Sequence, residues 1–371
     1  PMGKYYAVNF YSFSNQYPFL SKIIKQIVFW IFAYGLLFLI IHLTALSVLQ
    51  AMGRSTDLSV SGVLTLFLSL GAFLGLVLGI TDHFLKNHMF KNRSLGFNIL
   101  IGGIFYFSVL TILISFLRYV VVEYLSGAFL NQYTENIVRL NWKFYNVIIL
   151  SYTLFMTLVL SFINQMTNKF GPGLILPFLL GKFRYPTEEN RLFMFLDLKD
   201  STKLAEKLGH IKYSAFIQES FMDINQIVKK YDAQIYQYVG DEVVVSWPLG
   251  CWNTSLAIEF FFAVHKRFQN KKGHYLKHYN HVPIFKAGAH QGLVTAVEVG
   301  DIKREIAYHG DTLNVASRIE GLCKTYDKLI LISGKVNENP KIAQNFIVKP
   351  LGPQKLEGRE MSVEVFCVAE K

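Results

Sequence analysis

The stretch that decides the fold is Arg191-Leu-Phe-Met-Phe-Leu-Asp-Leu-Lys-Asp-Ser-Thr202. Its apolar run, which ends at Asp197, predicts a buried strand, and the polar residues after it predict a turn. Ser201 and Thr202 are expected to cap the helix that follows. A carboxylate at a strand end, beside the free N–H groups of a helix N-terminus, can hold a metal ion that carries a triphosphate. A strand that simply ends in a capping aspartate would show the same pattern, so this stretch alone leaves both interpretations open.

The charge of the 371-residue chain is unevenly distributed. Residues 1–185 contain long apolar runs and carry 13 Lys and Arg against 4 Asp and Glu, a formal net charge of +9. Residues 186–371 have the composition of a soluble domain, with 24 basic and 22 acidic residues. This second half has no basic stripe with interleaved aromatic residues, so nucleic acid is not an expected partner. Its three cysteines form no C-x-x-C pair and predict neither a zinc site nor a disulfide framework.

Apolar segments in the first half are long enough to cross a bilayer as helices, and there are four of them: roughly 23–49, 58–81, 96–118 and 144–165. Most of the basic residues that flank them lie before the first, between the second and third, and after the fourth. This asymmetry predicts a multi-pass protein of the plasma (inner) membrane, in contact with membrane lipid, with both termini cytoplasmic. The outer connections, about 51–57 and 119–143, are short, so no extracellular ligand-binding domain is expected.

Three features of the first half leave alternatives open. His42 lies deep in the first predicted span, where it could be a ligand or sensor residue, although a packed, hydrogen-bonded histidine is the simpler interpretation. The aromatic segment 5–19 could lie on the membrane or dock against the cytoplasmic half. Phe170-Gly-Pro-Gly173 predicts the end of the fourth helix or a sharp bend in it. Because no flexible Gly/Ser linker follows, the connector could transmit a signal or act as a passive tether.

Two segments of the second half carry polar residues where strands end. Gln234–Trp247 predicts a strand, a Gly-Asp turn and a second strand, with Asp241 at the hairpin tip. Asp241 follows Asp197 by 44 residues, enough for a strand, a helix and a strand. Two carboxylates from adjacent strands can form a two-metal site for phosphoryl chemistry. Further along the chain, Phe285–Val294 predicts another strand.

The segment Tyr308–Ile319 predicts a helix that starts at Gly310-Asp311-Thr312. Asn314 and Arg318 are four residues apart and therefore share one helical face. That face could present an amide to a ribose and a guanidinium to a pentavalent phosphate. A capped helix with a surface arginine would have the same sequence.

Together these segments resemble the class III nucleotidyl cyclases, the family of adenylyl and guanylyl cyclases. The likeness covers about 190–368 and rests on short motifs in a fixed order: Phe-Leu-Asp-x-x-x-Ser-Thr (195–202), Val-Gly-Asp (239–241), Gly-x-His-x-Gly (288–292), Gly-Asp-Thr-Leu-Asn-Val-Ala-Ser-Arg (310–318), and Leu351-Gly with Leu356-Glu-Gly-Arg359 before a last strand, Val363–Val368. The Gly-Gly-Asp/Glu-Glu-Phe turn of the related diguanylate cyclases is absent from the sequence.

The apolar segments predict an α-helical membrane domain of four transmembrane helices, and the resemblance implies an α+β cytoplasmic cyclase domain with a ferredoxin-like βαββαβ core. The expected divisions of the chain are an N-terminal cytoplasmic or interfacial segment (1–22), the four-helix transmembrane domain (23–168), a connector or transducer (169–189) and the catalytic domain (190–371). The expected activity is conversion of ATP to cyclic AMP and pyrophosphate, with possible regulation by the membrane domain.

The resemblance also assigns roles to individual residues. Asp197 and Asp241 would bind two Mg²⁺ or Mn²⁺ ions per active site, with the Leu198 carbonyl as a further ligand. One ion lowers the pKa of the ribose 3′-hydroxyl, which attacks the α-phosphate, while the other holds the triphosphate. Asn314 would orient the ribose and Arg318 would stabilise the transition state.

The resemblance further implies how the phosphates are held and how the protein assembles. Backbone N–H groups of the turn after the first strand would cradle the phosphates, and they belong to Lys199, Asp200, Ser201 and Thr202. In the family, the active site forms between two catalytic domains, one supplying the metal residues and the other the Asn and Arg. A chain with one such domain would work as a homodimer with two sites, and its monomer would be inactive.

Three departures from the family pattern bear on substrate choice. Asp200 stands where the family usually has Gly. The residues that read the base, usually Lys with Asp or Thr for adenine and a Glu/Cys pairing for guanine, would fall at Gln237 and Ala307. Gln can pair with either purine and Ala reads nothing, so the expectation of ATP rests on how common ATP-specific members are. The usual phosphate-binding Lys near the C-terminus is replaced by Arg359 or Lys355.

Three alternatives to an adenylyl cyclase follow from the same residues. One is a guanylyl cyclase. Another is a receptor or regulatory protein whose cyclase fold has lost activity, which the changes at Gln237 and Ala307 motivate. The last is a transporter or channel gated by a cytoplasmic nucleotide-binding domain, and the absence of paired charges within the predicted spans argues against it.

Overall fold

The computed structural model describes residues 18–53, 60–88, 108–109, 111–112, 115, 132–170, 181–249, 253–302, 304–358 and 361–371. These residues belong to two compact units, one drawn from 16–166 and the other including everything from 167 to the C-terminus. The aromatic segment 5–19 and the third predicted span, 96–118, lie outside the described residues except for a few positions.

Among the described residues, the first unit contains the long helices α1 (Pro18–Ala51) and α2 (Val60–His88) and most of α3 (Gln132–Phe170). Each contains a stretch long and apolar enough to cross a membrane, namely Phe19–Ala51, Val60–Asp82 and Asn146–Asn164. These correspond to the first, second and fourth predicted spans, so the described residues supply three candidate spans rather than the four predicted from the sequence.

The helix α3 corrects one expectation from the sequence. The connection 119–143 was expected to be a loop, but α3 begins at Gln132. The stretch 132–143 is polar and contains neither Pro nor Gly, so nothing in it stops a helix that continues from the apolar span. At the other end, α3 ends at Phe170, where the Gly-Pro-Gly sequence predicts a stop.

Three glycines allow α1 and α2 to approach closely. They are spaced four residues apart on α2, at Gly71, Gly75 and Gly79. A Cβ on Gly75 would lie only 2.5 Å from the Cα of Ile27, and a Cβ on Gly71 would lie 2.5 Å from the carbonyl oxygen of Trp30. Small residues at such spacing are typical of helix pairs in membranes, where close packing replaces the hydrophobic driving force.

Hydrogen bonds attach α3 to α1 inside this unit. The Tyr34 hydroxyl lies 3.2 Å from the hydroxyl of the buried Thr153, and the Tyr152 hydroxyl donates to the Ala33 carbonyl at 2.6 Å. Bonds of this kind stabilise helix association where no water competes for them. His42 stacks on Phe38, with ring centroids 5.3 Å apart.

The second unit is built on one mixed sheet. Its strands are β1 (Thr187–Leu198), β2 (Gln234–Val239), β3 (Glu242–Pro248), β4 (Phe285–Val299), β5 (Glu305–His309), β6 (Ile330–Ser333), β7 (Phe346–Gln354) and β8 (Val363–Glu370). The order is β2-β3-β1-β4-β6-β8-β7, and β5 pairs with β4 off this path. The antiparallel segment β2-β3-β1-β4 has the strand order of a ferredoxin-like βαββαβ core.

Helices accompany the sheet, and their bounds are α4 (Ser201–Leu208), α5 (His210–Val228), α6 (Asn253–Asn270), α7 (Lys272–Tyr279), α8 (Asp311–Thr325), α9 (Gly334–Asn337) and α10 (Pro340–Asn345). Side chains of β1 alternate between two apolar clusters, as the period of two in a strand requires. Leu192, Met194 and Leu196 join the cluster that contains α5 and α6, whereas Phe193 joins the cluster around Tyr308. The predicted strand is therefore buried on both faces.

The residues just before β1 are packed onto this sheet. Phe183 is only 2% exposed and belongs to the same cluster as Phe193. Its carbonyl accepts a hydrogen bond of 2.8 Å from the N–H of Glu298 in β4. The end of the expected connector is thus fixed to β4 rather than loose.

Candidate active site

The pairing of β1 with β3 brings the two predicted carboxylates to one place. Asp197 is the second-last residue of β1 and lies opposite Glu242, the first residue of β3. Asp241 directly precedes Glu242 in the turn between β2 and β3. Gly240 makes this tight turn possible, because its φ of 61° is in the left-handed region that glycine adopts readily.

Asp241 lies close enough to Asp197 to change the pKa of that carboxyl. Burial raises the pKa of Asp197 above its ordinary value, and the charge of Asp241 raises it further, while Lys286 opposes both effects. Glu242 is also part of this cluster, where burial and the charges of Asp197, Glu320 and Asp241 raise its pKa to about 7. Carboxylates crowded in this way favour any cation that can enter.

Lys286 supplies positive charge to this cluster. Its Nζ lies 3.4 Å from Oδ2 of Asp197 and 3.0 Å from Oε1 of Glu320. Sequence reasoning missed Lys286, Glu242 and Glu320. Lys286 could have been found from the register of β1 with β4, in which it is directly opposite Asp197, but no local pattern gives that register.

The Gly-x-His-x-Gly motif positions α8 on the sheet. A Cβ on Gly288 would lie 2.1 Å from the backbone nitrogen of Glu320, and one on Gly292 would lie 2.5 Å from Oγ1 of Thr312. Both glycines therefore allow α8 to lie directly on β4, and this contact brings Glu320 to Lys286. The histidine between them, His290, is buried, with Nδ1 2.7 Å from the Ser333 hydroxyl.

The residues present fit a divalent metal ion. Oδ2 of Asp241 is buried and has no hydrogen-bond partner among the described residues, and Asp197 lies beside it in the same acidic cluster. Carboxylate oxygens are the ligands that Mg²⁺ and Mn²⁺ prefer. Within the described part of the chain, no group of three or more His, Cys, Asp or Glu is arranged around one point. Two carboxylates are nevertheless enough for Mg²⁺, which commonly keeps water and takes ligands from substrate phosphates.

The turn after β1 differs from the sequence expectation in two respects. The helix α4 starts at Ser201 and its N-cap is Asp200, which makes no side-chain cap bond, so Ser201 and Thr202 are not caps but first-turn residues. Asp200 has φ 58° and ψ 30°, a left-handed conformation in which aspartate is better tolerated than most residues. The N–H of Lys199 donates to the Ile284 carbonyl at 2.8 Å, so it is not available for phosphate. The N–H groups at the start of α4 remain, since a first helical turn leaves them without intrahelical partners.

Asn314 and Arg318 lie on α8, on the side away from the acidic cluster. Glu320, which faces Lys286, follows Arg318 by two residues, a rotation of about 200° around a helix. Asn314 is exposed and Arg318 is half-buried. One chain therefore presents its aspartates on one side of α8 and its Asn/Arg face on another.

The residues expected to read the base lie on β2 and β5. Gln237 is exposed, and Ala307 is half-buried. Their neighbours touch, because the rings of Tyr236 and Tyr308 are 5.1 Å apart and the N–H of Tyr308 donates to the Tyr236 hydroxyl at 3.3 Å. Gln237 and Ala307 of one chain are thus held in the same region. Arg359 lies outside the described residues, and Lys355 is exposed.

A family model for the adenylate and guanylate cyclase catalytic domain matches residues 184–369, half of the chain. The chain belongs to this family. Adenylate cyclase 2 of Rhizobium meliloti (strain 1021) is 31% identical over 221 residues, which are 59% of this chain and 61% of that protein. Adenylate cyclase 1 of the same organism is 30% identical over 187 residues, 47% of this chain and 27% of that protein. The chain thus spans less than two thirds of the length of either relative.

One solved cyclase structure can be compared with this chain over most of its described length. A bacterial light-regulated adenylyl cyclase superimposes with a TM-score of 0.51 at 19% sequence identity, covering 60% of this chain and 66% of that one. The family predicted from the ordered motifs is therefore confirmed, and so is the cyclase fold of the second unit.

Proposed function

We propose that this cyclase-family chain is a membrane-anchored adenylyl cyclase, which converts ATP to cyclic AMP and pyrophosphate as a homodimer. The observation that carries the proposal is the pair Asp197 and Asp241. Their negative charges lie close together, and the buried Oδ2 of Asp241 has no hydrogen-bond partner among the described residues, so the pair favours a bound cation. The divalent metal ions that accompany a nucleoside triphosphate would compensate the negative charge of the two carboxylates. The relatives that are themselves named adenylate cyclases favour ATP as the nucleotide.

Asp197, Asp241 and the carbonyl of Leu198 are the groups proposed to hold two Mg²⁺ or Mn²⁺ ions. When bound, such ions lower the pKa of the ribose 3′-hydroxyl and offset the charge of the triphosphate. The N–H groups of Ser201 and Thr202, at the start of α4, bind phosphate oxygens, because a helix N-terminus favours anions.

In the proposed reaction the ribose 3′-hydroxyl gives up its proton to water, its oxygen forms a bond to the α-phosphorus, and the bond from that phosphorus to the bridging oxygen breaks. Pyrophosphate leaves with the electron pair of the broken bond. Asn314 holds the ribose in the orientation that attack requires, and Arg318 stabilises the negative charge that develops on the phosphoryl oxygens. A guanidinium suits this task because it presents several donors in a fixed plane.

The arrangement of α8 supports a homodimer. Glu320 and the Asn314/Arg318 face point to different sides of this helix, so the aspartates and the Asn/Arg pair of one chain face different surroundings. In a two-fold dimer each site takes its aspartates from one protomer and its Asn and Arg from the partner. Two sites form in this way, and an isolated protomer has none complete.

The base-reading region supports ATP less directly. Gln237 can donate to or accept from either purine, and Ala307 offers no side-chain hydrogen bond. A guanylyl cyclase is therefore the alternative that the product assay must decide. A cyclase-fold receptor without activity is the other alternative, since Asp200, Gln237 and Ala307 all depart from the family pattern.

The helices α1, α2 and α3 are proposed to belong to a four-span membrane domain that keeps both termini and the cyclase unit in the cytoplasm. The apolar length of each helix supports the spans, and the basic residues near their cytoplasmic ends support the orientation. Because Phe183 is fixed to β4, movement of the connector would reach the sheet directly, which supports regulation by the membrane domain.

The test is a product assay on the full chain, purified in detergent and shown to be dimeric. The protein is given ATP or GTP with Mg²⁺ or Mn²⁺, and products are identified by mass spectrometry, with Asp197→Asn as the matched control. Cyclic AMP from ATP, absent in Asp197→Asn, supports the proposal. Cyclic GMP alone would establish the guanylyl alternative, and no product from either nucleotide would favour the regulatory one.

A further inference from the structure

Gly358, a turn residue, lies against Arg318. A Cβ on Gly358 would be 3.3 Å from Nη2, 3.8 Å from Nη1 and 3.9 Å from Cζ of Arg318, so the glycine faces the guanidinium itself. The φ of Gly358 is 69°, a left-handed conformation. The guanidinium thus rests on a bare stretch of backbone that only a glycine leaves open.

The turn is anchored to the helix that carries Arg318. Leu356 is 3% exposed and packs in the apolar cluster that contains Val315 and Ile319 of α8. These two residues flank Arg318 on the helix, one three positions before it and one directly after it. The position of Gly358 relative to the arginine is therefore fixed by burial on the same helix.

Nothing else in the described part of the chain fixes the guanidinium, because no hydrogen bond or ion pair within it engages Arg318. A long side chain without such bonds has several rotamers of similar energy, and ordering it costs conformational entropy. A surface that admits only one position reduces this cost before the substrate arrives, which is how a catalytic charge is pre-organised.

We propose that Gly358 is a positioning residue, which sets the direction of the Arg318 guanidinium by leaving the space in which it lies. The proposal rests on the proposed function, in which Arg318 stabilises the transition state. A methyl group at 3.3 Å from Nη2 is closer than an ordinary contact, and the flexible end of the arginine would move rather than the backbone. A side chain at this position should therefore disturb catalysis more than folding.

Gly352 provides a matched control. It has φ 77° and lies in β7, and a Cβ on it would meet nothing within 4 Å. Gly352→Ala therefore imposes the same left-handed strain as Gly358→Ala without touching any group. Gly358→Asn is a second variant, since asparagine accepts the left-handed conformation but still carries a Cβ.

The experiment measures kcat, KM and Tm of the full-length dimer with ATP and Mn²⁺. Gly358→Ala and Gly358→Asn should lower kcat about tenfold, with KM changed less than twofold, because a small misplacement of a catalytic group affects the transition state. Gly352→Ala should lower the Tm by as much as Gly358→Ala does but should keep the wild-type kcat. In an Arg318→Ala background, Gly358→Ala should cause no further loss.

Two results with the variants would overturn the inference. One is a kcat for both Gly358 variants equal to that of Gly352→Ala, and the other is a full tenfold loss from Gly358→Ala in the Arg318→Ala background. A wild-type dimer without cyclase activity would overturn the proposed function together with this inference. If the wild type is active and the Gly358 variants have the same kcat as Gly352→Ala, this inference alone is overturned.

Discussion

Lys286 is directly opposite Asp197 in the pairing of β4 with β1, and its Nζ lies 3.4 Å from Oδ2 of that aspartate. The lysine side chain is 14% exposed, and its second partner, Glu320, is 11% exposed. The positively charged side chain of Lys286 thus already lies beside the carboxylates that are proposed to bind the metal ions. In the metal-free protein, Lys286 offsets part of the repulsion among the carboxylates.

Lys286→Met should destabilise the metal-free protein. Removing one partner of a mostly buried ion pair leaves carboxylates without compensation and costs about 3 kcal/mol. The Tm of the variant should therefore fall in EDTA, and Mn²⁺ should raise it more than it raises the wild-type Tm, because the metal replaces the missing charge. Lys349→Met, at an exposed position of β7, is the control. An unchanged Tm of Lys286→Met in EDTA would refute the stabilising role of the lysine.

Glu242 should make the stability of the metal-free protein depend on pH. Its pKa in the folded protein is about 7, above the ordinary 4.5, because of burial and of the charges of Asp197, Glu320 and Asp241. A carboxyl with a raised pKa contributes stability that is fully present below 4.5 and is lost as the pH rises to about 7. Glu242→Gln stays neutral and escapes this loss.

Thermal unfolding in EDTA at a series of pH values measures this difference. The Tm of Glu242→Gln minus that of the wild type should increase from pH 5 to pH 8. Glu338→Gln, at an exposed position after α9, is the control for the loss of a carboxylate outside the acidic cluster. If the plot of Tm against pH for Glu242→Gln runs parallel to the wild-type plot, the pKa of the Glu242 carboxyl is not raised in the folded protein.

Asp200 should limit both stability and nucleotide affinity. Its left-handed backbone strains a residue with a Cβ, and its carboxylate is at the turn proposed to bind phosphates. Asp200→Asn removes only the charge and should lower the KM for ATP about threefold, less so at high salt. Asp200→Gly also removes the backbone strain and should raise the Tm. The control is Asn280→Gly, at another left-handed position outside the site, which should raise the Tm by a similar amount. A KM that Asp200→Asn leaves unchanged would place this carboxylate away from the bound triphosphate.

The sequence was sufficient where the determinants are local. The apolar run that ends at Asp197 and the Gly-Asp turn before Glu242 predicted the strands that carry the aspartates. Lys286 could not be predicted as part of the site, because its place depends on the register of two strands distant in the chain. Glu320 could not be predicted either, because it reaches the site only where Gly288 allows α8 to lie on the sheet.

Local rules also failed at two positions where context decides. Capping preferences pointed to Ser201 and Thr202, but the left-handed conformation of Asp200 ends the turn one residue earlier. Hydropathy predicted a loop up to residue 143, whereas the helix α3 begins at Gln132 because polarity alone does not interrupt a helix. Both errors come from treating composition as if it determined backbone conformation.

The spacing of Gly71, Gly75 and Gly79 predicts that the first unit tolerates no larger residue where α1 and α2 make contact. A Cβ on Gly75 would lie 2.5 Å from the Cα of Ile27, so Gly75→Ala must separate two backbones. Overpacking of this kind costs about 1 to 3 kcal/mol. Separation of α1 from α2 would also disturb the buried Trp30 and Tyr34, which share an apolar cluster with Met156 of α3.

Gly35→Ala is the matched control, because a Cβ on Gly35 would make an ordinary contact of 3.5 Å with Leu68. The measurement is the temperature at which the detergent-solubilised full chain loses its monodisperse peak on gel filtration. Gly75→Ala should lower this temperature by several degrees, whereas Gly35→Ala should leave it unchanged or raise it slightly, since alanine favours helices. Equal temperatures for both variants would show that α1 and α2 do not pack through the glycine face.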